Sequence, residues 1–441
     1  MKFGVTTLVL SIALTLMAPL ASGEEPLTFE KALEIGLRNN YDILIARNEA
    51  AKANNNRGLG TAGFLPRLNA TGSWNRTDTK ETSDPVTPNS IGDNVTDQLN
   101  GQLALSWTVF DGFSMFAQRS RFNQLARLGE EQARSEIENA VVGIGRGYFS
   151  LVQQELLLDV AVETRDVSAA RLEKTQVRRE LGGASSTDLL NAQVALNRDE
   201  SDLIQRQIDR DAAVRELNVL LGRDPAAQLT IEKMIVTPAW DLSSEQMLEE
   251  ALANNAGLKL LEASRAAASS VVKSSYAPYL PSVNLNASYG YLDRTVTPDG
   301  GSDLGTEQSS STVGVSLAWN LFNGGRDRVA IRNAKIDLNN QVYSLRNAEN
   351  EVRSRALEAM QTYEKQLELV NLEMGNVEAA EQNLELIRDR LGLGSATSLE
   401  FRDAQTSLAL ARTSLIAAQF QARLTRLVLD QITGRLVSEA E

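Results

Sequence analysis

Glu400 and Asp403 stand three positions apart in a helically patterned stretch, so they share one face of a helix. A carboxylate pair of that kind can attract cations, hold a divalent metal, or trade protons. The step Thr397-x-x-Glu400 is also a capping box, which gives the glutamate a structural use at a helix start. Other chemistry is thin. The chain of 441 residues contains no His and no Cys, which removes Ser-His and Cys-His catalytic pairs, Cys/His zinc sites, disulfides and thiol-linked lipid. Gly143-x-Gly145-x-Gly147 lies inside a helical pattern with no strand before it, and no GxxxxGK[ST] occurs. Asp and Glu are abundant, but their spacing is that of helix surfaces and not of a compact catalytic pocket. We therefore expect no enzyme, no catalytic residue, no cofactor and no resident metal. With 44 Lys and Arg against 57 Asp and Glu, the net charge of -13 gives no general attraction to nucleic acid.

The elements that must position such residues begin after a leader. Met1-Lys2, the apolar run from Phe3 to Leu20, and the small residues Ala21-Ser22-Gly23 read as a signal peptide over 1–23, leaving a single domain over 24–441. No later run approaches the roughly 20 apolar residues of a transmembrane helix. The rest is an internal repeat, about 28–223 and 243–435. At an offset of 215, Glu30, Leu33, Glu34, Leu37, Asn39 and Asn40 fall on Glu245, Leu248, Glu249, Leu252, Asn254 and Asn255, and Phe64-Leu65-Pro66 on Tyr279-Leu280-Pro281. At an offset of 212, Trp107-Thr108-Val109-Phe110-Asp111-Gly112 meets Trp319-Asn320-Leu321-Phe322-Asn323-Gly324, and Gly222-Arg223 meets Gly434-Arg435. A register that survives one small indel marks a tandem duplication.

Each half opens with a helical stripe, Thr28 to about Ala62 in the first, and Ser243-x-x-Gln246 caps the matching start of the second. Two strands of about ten residues follow. Leu68, Ala70, Gly72 and Trp74 alternate with polar residues, as do Leu99, Leu103, Leu105, Trp107 and Val109. Val283 to Tyr291 and Val313 to Leu321 repeat the pattern, with Tyr289 and Trp319 among the apolar set. Thr77 to Gln98 and Asp293 to Ser311 read as long exposed loops. Next comes a very long helix, Ser114 to Leu181 and again Arg326 to Leu391, on the order of 100 Å at 1.5 Å per residue. Short Gly-containing turns join each to a second helix, Ser186 to Leu221 and Ser398 to Ile432, so the helices double back as hairpins with Gly182 and Gly394 at their C-caps.

The fold class is therefore mainly α with a small β part. One strand face carries tryptophans and tyrosines and the other is polar, the alternation of a transmembrane barrel with a wet lumen, yet four strands cannot close one. Three copies bring twelve strands and gather the long helices into a tube, so a homotrimer is the simplest closed solution. Trp74, Trp107, Tyr289 and Trp319 would then face lipid. The rival reading is a secreted coiled-coil structural or adhesive protein without a pore, which leaves the amphipathic strands unused.

The doubled Leu-Pro strand starts, the Trp-x-x-Phe-(Asp/Asn)-Gly strand ends and the Gly-tipped hairpins resemble the TolC family of outer-membrane efflux proteins over Pro26 to Arg435. The resemblance implies a trimeric exit duct in the outer membrane, continued by an α-helical barrel through the periplasm. It also implies partners: a periplasmic adaptor, an inner-membrane pump of RND or ABC type, and outer-membrane lipid, in multidrug efflux or type I secretion. Lipoprotein anchoring, used by some relatives, is excluded for want of Cys. By the same resemblance Arg178, Leu181 and Gly182, and Arg390, Leu393 and Gly394, are adaptor contacts. Glu400 and Asp403 match paired acids of the periplasmic constriction, where a ring of up to six carboxylates would favour cations and carry raised pKa values. Asp188 matches a residue of the closed state. The family's closing Arg and Tyr are here Ala396 and Leu391, so that latch cannot form.

Overall fold

The computed structural model describes residues 26–80 and 93–436; the expected leader over 1–23 lies outside them. Two copies of one plan follow each other. The first runs α1 (Phe29–Asn39), α2 (Tyr41–Asn55), β1 (Arg67–Thr79), β2 (Asn94–Asp111), α3 (Ser114–Glu180) and α4 (Ser186–Leu220). The second runs α5 (Ser244–Asn254), α6 (Ala256–Ser274), β3 (Ser282–Pro298), β4 (Leu304–Ala318), α7 (Arg326–Gly392) and α8 (Ser398–Ile432). The two 67-residue helices α3 and α7 are the long members of each hairpin, about 100 Å end to end. No helix among the described residues is long and apolar enough to cross a membrane.

The opening helix expected over 28–62 is broken in two. Asn40 leaves the helical region at ψ 127°, and its Oδ1 accepts from the amides of Asp42 and Ile43, so one asparagine ends α1 and caps α2. Its Nδ2 donates to the carbonyl of Leu220 at 2.8 Å, satisfying the last turn of α4. Asn255 does the same between α5 and α6, reaching Ile432 at the end of α8. Apolar periodicity continues through such a break, which is why the pattern alone did not reveal it.

One apolar face of α3 forms much of the core. Val141, Ile144, Tyr148 and Leu151 are buried against Leu217 of α4 and Leu221 just past its end, while the second half buries Met247, Val352, Ala356, Tyr363 and Leu429. Tyr148 and Tyr363 each donate their hydroxyl to a backbone carbonyl, of Leu27 and Pro238. The glycines in α3 serve close packing: a Cβ on Gly145 or Gly147 would stand 2.7 or 2.6 Å from a methyl of Leu427 or Leu220.

The strands form one antiparallel sheet in the order β1-β2-β3-β4, and they are longer than expected, 13, 18, 17 and 15 residues. They take up much of the stretches expected to be loops: β3 and β4 meet across a short turn at 299–303, and of the first expected loop the ends are strand and 81–92 lie outside the described residues. A bulge between Thr108 and Phe110 corrects one position, since Phe110 and not Val109 pairs with Val283.

Candidate functional site

Two regions gather the singled-out residues: the hairpin tips and the apolar face of the sheet. Both tips share one backbone design. Gly182 and Gly394 adopt φ of 79° and 76°, a region other residues enter only under strain. The amide of Gly183 bonds the carbonyl of Arg178 at 2.7 Å, and that of Ser395 bonds Arg390 at 2.8 Å, the Schellman closure of each long helix. The same arginines reach across their turns, Arg178 to the carbonyl of Gly183 and Arg390 to that of Ser395. They brace the turn as well as carrying charge. Beside them Leu181 and Leu393 are 82% and 85% exposed, two large apolar side chains held out by rigid turns.

Asp188 and Glu400 begin the returning helices as capping boxes. The Asp188 carboxylate accepts from the amide and hydroxyl of Ser185, and Glu400 from those of Thr397. These hydrogen bonds hold both carboxyls below their ordinary pKa values. Within one chain the cap therefore acts against the rise expected for Glu400 from a ring of carboxylates. Only one oxygen of each carboxylate is engaged, so the other still faces solvent. Asp403 is exposed and has no hydrogen bond or ion pair among the described residues. Ala396 and Leu391, which stand in place of the family's latch, pack instead against a small apolar cluster of Leu384, Ile387, Phe401 and Leu408.

Sequence reasoning missed the residue between those acids. Arg402 of α8 makes a bidentate pair with Asp199 of α4, both bonds 2.7 Å, and donates to Ser168 of α3 at 3.1 Å. Gln405 completes the group through the carbonyl of Thr164. The Asp199 side chain is 7% exposed and that of Arg402 18%, so this clamp ties the two hairpins together in a largely dry setting. Farther along α8, Arg412 bridges Glu163 of α3 and Glu381 of α7. The repeat held the signal: at the offset of 212, Arg402, Asp199 and Ser168 fall on Leu190, Ala411 and Ala380, three polar residues without polar counterparts. Between the hairpins and the clamp lies a groove of about 740 Å³ lined by Arg171, Lys174, Arg178 and Arg388 over a floor of Val167, Leu391 and Phe401.

On the sheet, strand pairing puts Leu68, Leu105, Ala287 and Val313 in one row, and Trp74 and Leu99 in another of the same face. Trp107 and Tyr289 share that face, and Trp319 continues the alternation just past β4. Trp74 is 64% exposed, and Leu103, Tyr289, Val313, Val315 and Leu317 are exposed with it. At about 1.5–3 kcal/mol for each such side chain withdrawn from water, a face of this extent is covered in the working protein. Trp107 and Trp319 also donate their indole N–H to the carbonyls of Phe64 and Tyr279, equivalent positions that lock strand ends to the preceding segment. The outer edges of β1 and β4 carry no partner strand among the described residues.

Comparison with known proteins agrees with this anatomy. The family model described as outer membrane efflux protein matches residues 33–223 and 247–435, the two repeats. The chain is 25% identical over 402 residues to the probable efflux pump outer membrane protein TtgC of Pseudomonas putida, covering 88% of this chain and 78% of that one. It is 24% identical over 408 residues to the alkaline protease secretion protein AprF of Pseudomonas aeruginosa, covering 89% and 82%. The Campylobacter jejuni CmeC outer membrane channel superposes with a TM-score of 0.77 at 13% identity, over 92% of this chain and 85% of that one. The architecture is accordingly a long α-helical barrel joined to a twelve-stranded β-barrel, four strands from each of three chains. With both repeats matched and the fold shared, this chain belongs to the outer membrane efflux protein family, in the outer membrane and reaching into the periplasm.

Proposed function

We propose that the protein is the exit duct of a tripartite efflux or type I secretion system, receiving cargo from an inner-membrane pump of RND or ABC type through a periplasmic adaptor. The observation that carries this reading is the pair of equivalent tips, each a rigid turn presenting one exposed leucine, Leu181 and Leu393, beside a braced arginine. A surface made twice in one chain, and six times round a trimer, suits a partner that docks as a ring. Arg178, Gly182, Arg390 and Gly394 hold that surface, and the basic groove between the hairpins gives the adaptor a second foothold. Asp188, Glu400 and Asp403 line the constriction, and the Arg402–Asp199 clamp stands in for the family latch that Ala396 and Leu391 rule out. Residues 1–23 are removed on export, leaving one domain of two repeats.

Images of detergent-extracted protein are expected to show a threefold tapered tube with a helical part about 100 Å long and a detergent belt at one end. Rods without belt or lumen, soluble without detergent, would support the coiled-coil alternative instead. In bilayer recordings, replacing Glu400 and Asp403 together by Ala is expected to weaken cation preference and divalent block; unchanged selectivity would remove the gate assignment and leave the fold untouched.

A further inference from the structure

Strand register sorts the charges of the sheet by face. Arg67 lies in a row with Ser106, Asn286 and Gly314, and Arg294 in a row with Asn75, Gln98 and Thr306, both on the polar face. The strand carboxylates fall the other way. Asp293 and Glu307 share the Trp74 row of the apolar face, and Asp97 and Asp78 lie beyond it on the same face, where Arg76 stands 3.7 Å from Asp97. Asp111 alone is inward in register, and it is spent on the start of α3, accepting from the amide of Met115 at 3.0 Å. Neither Arg67 nor Arg294 has an ion-pair partner among the described residues. An acidic chain of net charge -13 has thus kept every strand carboxylate but Asp111 off the inner wall and placed there two guanidinium groups without an ion pair among the described residues.

Resting on the threefold duct reading above, we infer that the β-barrel is an anion-favouring outlet whose two rings of arginine, three Arg67 and three Arg294, pass molecules bearing carboxylate or phosphate more readily than cations. The rings are separated by the stretch of β2 from Ser106 to Gln98, roughly 26 Å along a strand at 3.3 Å per residue and about 19 Å along the axis at a tilt of about 45°. Between them the wall is Ser, Thr, Asn and Gln with Ala104, Gly290 and Leu292, uncharged throughout, so it neither neutralises the guanidinium groups nor competes for anions. Arginine stays charged at every working pH, and a narrow lumen walled by low-dielectric material focuses its field on passing ions. The outlet stands in series with the acidic tips, so the two ends of the duct select opposite signs.

The narrow tip is expected to dominate the selectivity of the whole channel, so the experiment removes it. Reversal potentials are measured across a KCl gradient for trimers carrying Glu400→Gln and Asp403→Asn. These channels are expected to prefer chloride. Adding Arg67→Gln and Arg294→Gln is expected to lower the chloride-to-potassium permeability ratio several-fold, and the matching Arg→Lys pair to preserve it. A ratio unmoved by the Gln pair, in channels of ordinary conductance, overturns the outlet assignment alone. Absence of any channel from the unmodified protein overturns the duct reading and the outlet with it. A second measurement uses the unmodified trimer: inorganic polyphosphate added on the strand side is expected to block current at concentrations where a polyamine does not. Equal block by both also overturns the proposal.

Discussion

The two hairpin tips have the same backbone and different side-chain neighbourhoods. Cap, Schellman bond, braced arginine and exposed leucine recur at the offset of 212. Around them the halves diverge. The first tip leaves Val177, Leu190 and Val194 exposed; the second exposes Leu386 and Leu399, but buries Ile387 and Phe401 in a cluster with Val167 of α3 and sends Arg402 into the clamp with Asp199. Duplication preserved what folds a tip, and specialisation changed what each tip faces. The second hairpin supplies the restraint, and both leave apolar surface exposed.

Breaking the clamp is expected to have the largest effect. Arg402→Leu, which makes the second tip resemble the first, strands the buried Asp199 carboxylate at a cost of about 3 kcal/mol, the low end for a broken buried pair. Lower thermal stability and larger, noisier single-channel currents should follow. Arg402→Leu with Asp199→Ala is expected to recover much of the stability but not the quiet closed state, because the second change removes the orphaned charge without restoring the tie. Recovery of both would reduce the clamp to a packing feature.

Next in size is backbone strain. Gly182→Val or Gly394→Val meets no neighbour, so the cost is conformational alone, about 1–2 kcal/mol for a left-handed residue with a Cβ. Export should fall while trimers still form, and normal export in both variants would remove tip docking. A smaller effect on stability, with equal loss of export, is expected for Leu181→Asp and Leu393→Asp, since both side chains already lie in solvent. If only one of the two impairs export, the equivalence of the tips is broken and the more damaging position identifies the docking hairpin.

The smallest effect is acid sensitivity. The Asp188 and Glu400 carboxyls are held below their ordinary pKa values by their caps, so the stabilisation they give is present above the unfolded values and is lost as pH falls through the lower folded ones. The share of cation preference owed to Glu400 should persist at pH 5 and fade only beneath the ordinary glutamate range. Loss at higher pH would mean that repulsion within the ring outweighs the cap.

Much of this anatomy is written in local pattern. Repeats, helix lengths, the Gly-tipped turns and the alternating strand faces follow from periodicity and capping residues, and the capping-box reading of Glu400 was visible in Thr397-x-x-Glu400. What escaped depends on partners far apart in the chain. Asn40 splits a helix because its side chain also satisfies Leu220, and the bulge at Thr108 becomes visible only when β2 meets β3. Arg402 looked like an ordinary helix-surface cation until Asp199 and Ser168 arrived from the other half. Strand length was underestimated because Thr and Ser extend a strand as readily as they form a loop.

The long helices also make the molecule a set of levers. A rod of about 100 Å that tilts by about 3° moves its far end by about 5 Å, so an aperture at the tips can change by the width of a small solute while no joint near the membrane bends enough to disturb its packing. Asn40 and Asn255, each pinning two helix ends with one side chain, sit about 50 Å from the tips, midway along the long helices. The Arg402 clamp lies about 18 Å from the free end, as the rise from Ser168 to Glu180 gives, where leverage is greatest and a single ion pair can hold still what would otherwise swing.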